Sequence, residues 1–150
     1  MGRRGEAWVA AQALILVCFA FAPQAGAPWP YLNAFRLVGW GLAIFAILLL
    51  GWSALNLGRS LTPFPRPVPN GELVTTGAYR FVRHPIYCGV ILGALGLSLV
   101  TENWPRLALT GLLFLFFDLK ARREEDWLQE KYPEYATYKS RVKKLIPWIY

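Results

Sequence analysis

The sequence predicts an all-α, polytopic membrane protein of about four transmembrane helices with a cytoplasmic helical extension at its C-terminal end. Three observations predict it. Of the 150 residues 55% are hydrophobic and only 17% charged; the stretch from Leu37 to Leu57 carries no charge; and the sixteen Lys and Arg are confined to particular segments. The length suits one domain, residues 1–150.

The first span is expected at residues 7–22, between Met1-Gly-Arg-Arg and Pro23. A cleavable secretory signal ending near Ala25-Gly-Ala27 is the competing reading, and the uncleaved helix is preferred because it makes the number of spans even. The second, residues 37–57, is about 21 residues or roughly 31 Å long, matching the hydrocarbon core. Gly39, Gly41 and Gly51 are expected to admit a neighbouring helix, and Trp40 and Trp52 suit the interfaces. Residues 58–76 form a connector in which Pro63, Pro65, Pro67 and Pro69 forbid a continuous helix.

The third span, residues 85–101, and the fourth, 105–120, are joined by the tight turn Thr101-Glu-Asn-Trp-Pro105. The fourth is interrupted by Asp118 and then runs without Gly or Pro into the charged Lys120–Lys131, one helix leaving the membrane into the tail 121–150. Fourteen of the sixteen Lys and Arg fall on the N-terminus, the connector and the tail, against Arg36 and Arg106 on the other side. Positive-inside then puts both termini, the connector and the tail in the cytoplasm, of the inner or plasma membrane if the source is bacterial. The formal charge of +7 is not arranged as a nucleic-acid stripe, so no nucleic-acid partner is expected. Cys18 and Cys88 lie in apolar runs without a C-x-x-C or a His cluster; they read as packing residues, with no disulfide framework and no metal site. The sequence leaves the oligomeric state open.

Function is expected where the only histidine sits, in Gly77-Ala-Tyr-Arg-Phe-Val-Arg-His-Pro-Ile-Tyr-Cys-Gly89. Arg80, Arg83 and His84 are donors for an anion, Tyr79 and Tyr87 are rings, and Pro85 can open a helix where its missing N–H costs nothing. Antiparallel third and fourth spans bring His84 near Glu124 and Glu125. Helical spacing of Phe114, Phe117, Ala121, Glu124 and Leu128 places Glu124 on the buried stripe, where it needs Arg83, His84 or a ligand as partner. A solvated face with local ion pairs accounts for Arg122 to Asp126 equally well, and a membrane-end His and Arg commonly reach for headgroups.

The compound motif Gly77-x-Tyr79-x-x-x-Arg83-His84-Pro85-x-Tyr87-x-Gly89, then Glu124-Glu125, then Tyr135-x-x-Tyr138-x-x-Arg141, resembles the isoprenylcysteine carboxyl methyltransferase family and its relatives among phospholipid N-methyltransferases. The resemblance covers roughly residues 55 to 147, the last two-thirds of the chain. It implies an integral-membrane methyltransferase that uses S-adenosylmethionine, its cofactor pocket built from Tyr79, Arg83, His84, Pro85, Tyr87, Gly89, Glu124 and Glu125. Members acting on prenylated proteins are generally longer, so their acceptor is not carried over.

The cofactor's groups suit these residues: Arg83, His84 and N–H groups at the helix start for its carboxylate, Glu124 or Glu125 for ribose hydroxyls or ammonium, and Tyr87 for adenine or the sulfonium. Glu125 is the candidate base if the acceptor is an amine, and Arg141 with the basic tail Lys139 to Lys144 is a candidate holder of an anionic acceptor or anionic lipid. The expected partners are a lipophilic or lipidated acceptor and membrane lipids. Two other classes compete: an NADPH-dependent membrane reductase of sterol-reductase type, and a non-catalytic membrane protein.

Overall fold

The computed structural model describes residues 5–150, so the expected basic residues Arg3 and Arg4 ahead of the first span lie outside the described residues. The described chain is all-α: α1 (Glu6–Ala20), α2 (Leu32–Leu57), α3 (Pro85–Val100), α4 (Trp104–Lys131) and α5 (Tyr135–Arg141), with short 3-10 turns at Gly58–Ser60 and Gly77–Arg80. Among the described residues one stretch, Leu32–Ser60, is long and apolar enough to cross a membrane by itself. Helices α1 and α3 are apolar but shorter, at 15 and 16 residues. Helix α4 has 28 residues, but Arg106, Asp118 and Lys120 interrupt its apolar half. As expected, it continues unbroken to Lys131.

Packing runs α2–α3–α4–α1, with the closest association between α2 and α3. Small residues explain that closeness. A Cβ on Gly39 would stand 2.7 Å from the Gly96 carbonyl oxygen, and one on Gly96 2.7 Å from that of Gly39, so backbones touch where side chains would otherwise intervene. Gly41 and Gly51 do not share this role: a Cβ on either meets nothing within 4 Å, because both face outward. The outer surface there is apolar, with Ile44, Ile47, Leu48 and Leu55 all exposed. Such a contiguous apolar face suits lipid rather than water.

The end carrying Arg36 and Arg106 is closed by hydrogen bonds. Asn103 caps α4 by accepting from the Arg106 N–H at 2.9 Å, and its amide donates to the Pro23 carbonyl at 3.1 Å. Arg106 donates to the carbonyls of Phe19 and Ala20 that end α1, and Arg36 pairs with Glu102 at 2.8 Å. At the opposite end the chain does something the sequence did not suggest. Residues after α5 return beside the Arg83-His84 segment as a parallel bridge, Val82 to Lys143, in which the N–H groups of Arg83 and His84 donate to the carbonyls of Lys143 and Lys144. Asp118, which looked like an interruption, is where the tail docks: Lys144, Arg122 and the Tyr150 hydroxyl all converge on its carboxylate.

Candidate functional site

A cavity of about 410 Å³ opens at the tail-bearing end of the bundle. Its walls come from four sources: α3 with the segment before it (Tyr79, Arg83, His84, Tyr87, Val90), α4 and α5 (Phe117, Lys120, Glu124, Leu128, Tyr135, Tyr138), the proline-rich connector from Leu57 to Val74, and Gln12 of α1. The connector is therefore a wall and not only a spacer. It is held there by α4, since Lys131 donates to the Val68 carbonyl and the Tyr132 hydroxyl to that of Gly71 at 2.5 Å. Gly77 sets the entry to the motif. Its φ of +61° favours glycine, and a Cβ would fall 2.0 Å from Asn56 Oδ1, which accepts the Ala78 N–H at 2.8 Å.

Across the bundle, α3 and α4 bring the histidine to both glutamates. His84 Nε2 lies 3.1 Å from Glu125 Oε1, and its Nδ1 lies 3.8 Å from Glu124 Oε2. The two carboxylates have exchanged the roles expected from the helical stripe. Glu125 is the buried one, its side chain 2% exposed, and it is bound by Arg83 Nε at 2.8 Å, His84 at 3.1 Å and Lys139 Nζ at 3.1 Å. Glu124 is 25% exposed, lines the cavity and accepts from the Tyr87 hydroxyl. The buried stripe of α4 runs Leu113, Phe117, Ala121, Glu125, displaced by one residue from the expected one at its lower end.

Burial by itself would raise the Glu125 carboxyl, but the hydrogen bonds from His84 and Arg83 outweigh it and hold it well below the usual carboxylate range. A carboxylate so held is a poor base, and Glu125 does not line the cavity. It fixes Arg83 and His84 in place instead. Arg83 also donates to the carbonyls of Lys139 and Val142, tying the motif to α5, while its Nη2 makes no hydrogen bond among the described residues.

Several other expected site residues do not reach the cavity. Gly89 faces α2, where a Cβ would meet the Leu50 side chain at 2.6 Å; its smallness serves helix packing. Pro85 is buried at the first turn of α3. Arg141 is exposed on α5 and does not line the cavity, and Lys139 and Lys144 spend their charges on Glu125 and Asp118. The His84 N–H is taken by Lys144, so it is not available to a ligand. The Tyr87 ring is already stacked, at 5.2 Å on His84 and 4.6 Å on Phe117. Of the cysteines, Cys88 is buried and donates to the Leu145 carbonyl, while Cys18 is exposed.

Two cavity residues escaped the reading of the sequence. Tyr135 is 1% exposed, and its hydroxyl has no hydrogen-bond partner among the described residues. Burial, and then the charge of Glu125, raise its ionisation well above the ordinary tyrosine value, so it remains a donor. The Tyr138 hydroxyl beside it is satisfied by the Tyr79 carbonyl at 2.5 Å. The repeat Tyr135-x-x-Tyr138 was visible in the sequence, but nothing in it distinguished a free hydroxyl from a bonded one. The second is Lys120, whose signal was its place as a lone cation at the end of an apolar run, one turn before Glu124.

Residues 35–135, more than half of the chain, match the family described as phospholipid methyltransferase. The chain belongs to that family. The match includes the proline-rich connector, the Arg83-His84 segment and both glutamates, and thus most of the cavity wall. Among similar proteins, the cobalt-zinc-cadmium resistance protein CzcN of Cupriavidus metallidurans is 36% identical over 79% of this chain and 50% of its own length. A probable protein-S-isoprenylcysteine O-methyltransferase of Oryza sativa subsp. indica is 30% identical over 75% of this chain and 61% of its own. Methanethiol S-methyltransferase 1 of Bradyrhizobium diazoefficiens is 37% identical over 61% of this chain and 30% of its own. The chain thus spans about half the length of the curated relatives it matches. The resemblance to isoprenylcysteine methyltransferases is borne out by these relatives.

Proposed function

We propose that this protein is a membrane methyltransferase that takes its methyl group from S-adenosylmethionine and passes it to a lipophilic or membrane-anchored acceptor. The observation that carries the reading is the cavity, which combines a carboxylate (Glu124), an unpartnered buried hydroxyl (Tyr135) and the unused Nη2 of Arg83 with an apolar wall. Family membership favours it over the reductase and the non-catalytic readings.

The residues present fit that methyl donor. Its carboxylate finds donors in Arg83 Nη2 and the Tyr135 hydroxyl, a buried group without a partner among the described residues. Its ammonium or ribose hydroxyls find Glu124, oriented by the Tyr87 hydroxyl and near His84. Tyr79 and the connector's prolines and leucines offer apolar surface to the adenine. When bound, S-adenosylmethionine supplies an electrophilic methyl group, and displacement at that carbon needs alignment and exclusion of water more than proton transfer. The chain supplies both. The Arg83–Glu125 lock holds the donor-binding wall rigid, and the connector covers the cavity from the aqueous side.

Four membrane-crossing helices, with both termini and the cavity on the cytoplasmic side, complete the proposal. Support comes from the basic residues, which cluster at the cavity end, and from the closed opposite end around Arg36 and Arg106. Cysteines introduced at Glu130 and Gln24 of a cysteine-free variant should be labelled by impermeant reagents from opposite sides of the membrane; labelling from the same side overturns the arrangement. The activity itself is tested by incubating the purified protein in nanodiscs with labelled S-adenosylmethionine. Saturable binding that is lost in Glu124→Ala is expected. A folded protein that binds none of it refutes the reading.

A further inference from the structure

Lys120 is 1% exposed, yet it lines the cavity. Its ammonium donates to Gln12 Oε1 at 2.7 Å and to the Pro63 carbonyl at 3.0 Å, and lies 5.3 Å from the centroid of the Tyr87 ring. All three are neutral groups. Among the described residues no carboxylate comes within ion-pair distance of it, whereas Lys139 and Lys144 each have one. An ammonium has three donors, and two are used here. Glu124, one turn along α4, attracts it only from beyond ion-pair distance, and a buried cation with no carboxylate in direct contact is costly unless a ligand supplies one.

The cavity is therefore bipolar along α4. Glu124 stands one helical turn toward the aqueous end, and Lys120 one turn toward the apolar body of the bundle beside Phe117. A water-borne cationic donor belongs at the Glu124 end, where Arg83 Nη2 and Tyr135 also serve its carboxylate. The Lys120 end is left for a group that arrives from the bilayer.

We infer that Lys120 is the specificity-determining residue for the acceptor, selecting a deprotonated carboxylate or thiolate carried on an apolar tail and disfavouring an amine. The inference rests on the methyltransferase reading. The acceptor's lone pair forms the new bond to the methyl carbon while the carbon–sulfur bond of the sulfonium breaks and leaves its electron pair on sulfur. The anion and the sulfonium cancel and both products are neutral; a carboxylate arrives already ionised, whereas a thiol first gives its proton to water. An amine acceptor would instead build a new positive charge beside Lys120.

The test uses protein in phosphatidylcholine nanodiscs and a matched probe series: dodecanoate, dodecanethiol, dodecanamide and dodecylamine. Without any donor, tryptophan fluorescence should report dodecanoate binding about tenfold or more tighter than the amide or amine, and Lys120→Met should abolish that preference while Lys120→Arg restores part of it. With labelled S-adenosylmethionine, the wild type should methylate dodecanoate or dodecanethiol in preference to dodecylamine. In Lys120→Met the acceptor kcat/KM should fall by roughly 30-fold with donor affinity within about threefold of wild type. Preference for the amine, or a Lys120→Met loss that resides in donor binding, overturns this inference alone. Failure of the wild type to bind the donor overturns the methyltransferase reading and this inference with it. The wild-type probe series decides the question even if Lys120→Met does not fold.

Discussion

Arg83 Nε lies 2.8 Å from Glu125 Oε1, joining residues 42 positions apart, with both side chains shielded from water. Removing Glu125 leaves Arg83 buried without a carboxylate, and removing Arg83 leaves Glu125 with only Lys139 and His84, a loss of up to about 3–5 kcal/mol in comparable sites. Glu125→Gln and Arg83→Gln should therefore each lower the thermal midpoint sharply in detergent. The double substitution should cost much less than their sum, and additive losses would show that the pair is not coupled.

The same pair sets a pH dependence. The folded Glu125 carboxyl titrates below its ordinary value of 4.5, so the unfolded chain takes up a proton that the folded chain refuses. Its contribution to stability is full above that ordinary value and is lost as pH falls through the lower folded value. Wild-type stability should drop steeply below about pH 5, and Glu125→Gln should flatten that slope when midpoints are measured from about pH 6 to 3. An equal slope in the variant would remove Glu125 from the account.

Tyr135→Phe deletes a hydroxyl that no other described residue uses. Stability should hold or rise slightly, because an unsatisfied buried polar group disappears. Affinity for S-adenosylmethionine should fall by about tenfold, the worth of one hydrogen bond to a charged group. Loss of stability with unchanged affinity, read by thermal shift and calorimetry, would contradict the role given to it.

The glycines of α2 separate cleanly. Gly39→Ala drives a methyl group to 2.7 Å from the Gly96 carbonyl oxygen and should destabilise the bundle by about 1–3 kcal/mol. Gly51→Ala meets only the outer face and should be neutral to stabilising, through helix propensity. Comparable losses in both would place Gly51 against a neighbour.

Much of this protein was legible from the chain. Charge-free runs, the proline-rich break and the lopsided distribution of Lys and Arg are local or one-dimensional signals, and they carried the all-α class, the long fourth helix and the meeting of His84 with the paired glutamates. Hydrophobic spacing along α4 could not say which glutamate is buried. Helical periodicity locates a stripe to within about one residue, and here the choice between Glu124 and Glu125 depends on what packs against it.

That partner is the returning tail. The Val82–Lys143 bridge, and with it the engagement of Glu125 by Lys139 and of Asp118 by Lys144, joins segments some sixty residues or fewer apart that share no periodic signal. The same is true of the connector closing over the cavity, which turns Lys120 from a residue at the end of an apolar run into a buried cation. The sequence by itself determined the residue types of the site and the end of the bundle where they gather. Which carboxylate is locked, which hydroxyl is left over and which cation is held by neutral groups alone were decided by the tertiary structure, because each is a balance of desolvation against contacts that exist only once distant segments meet.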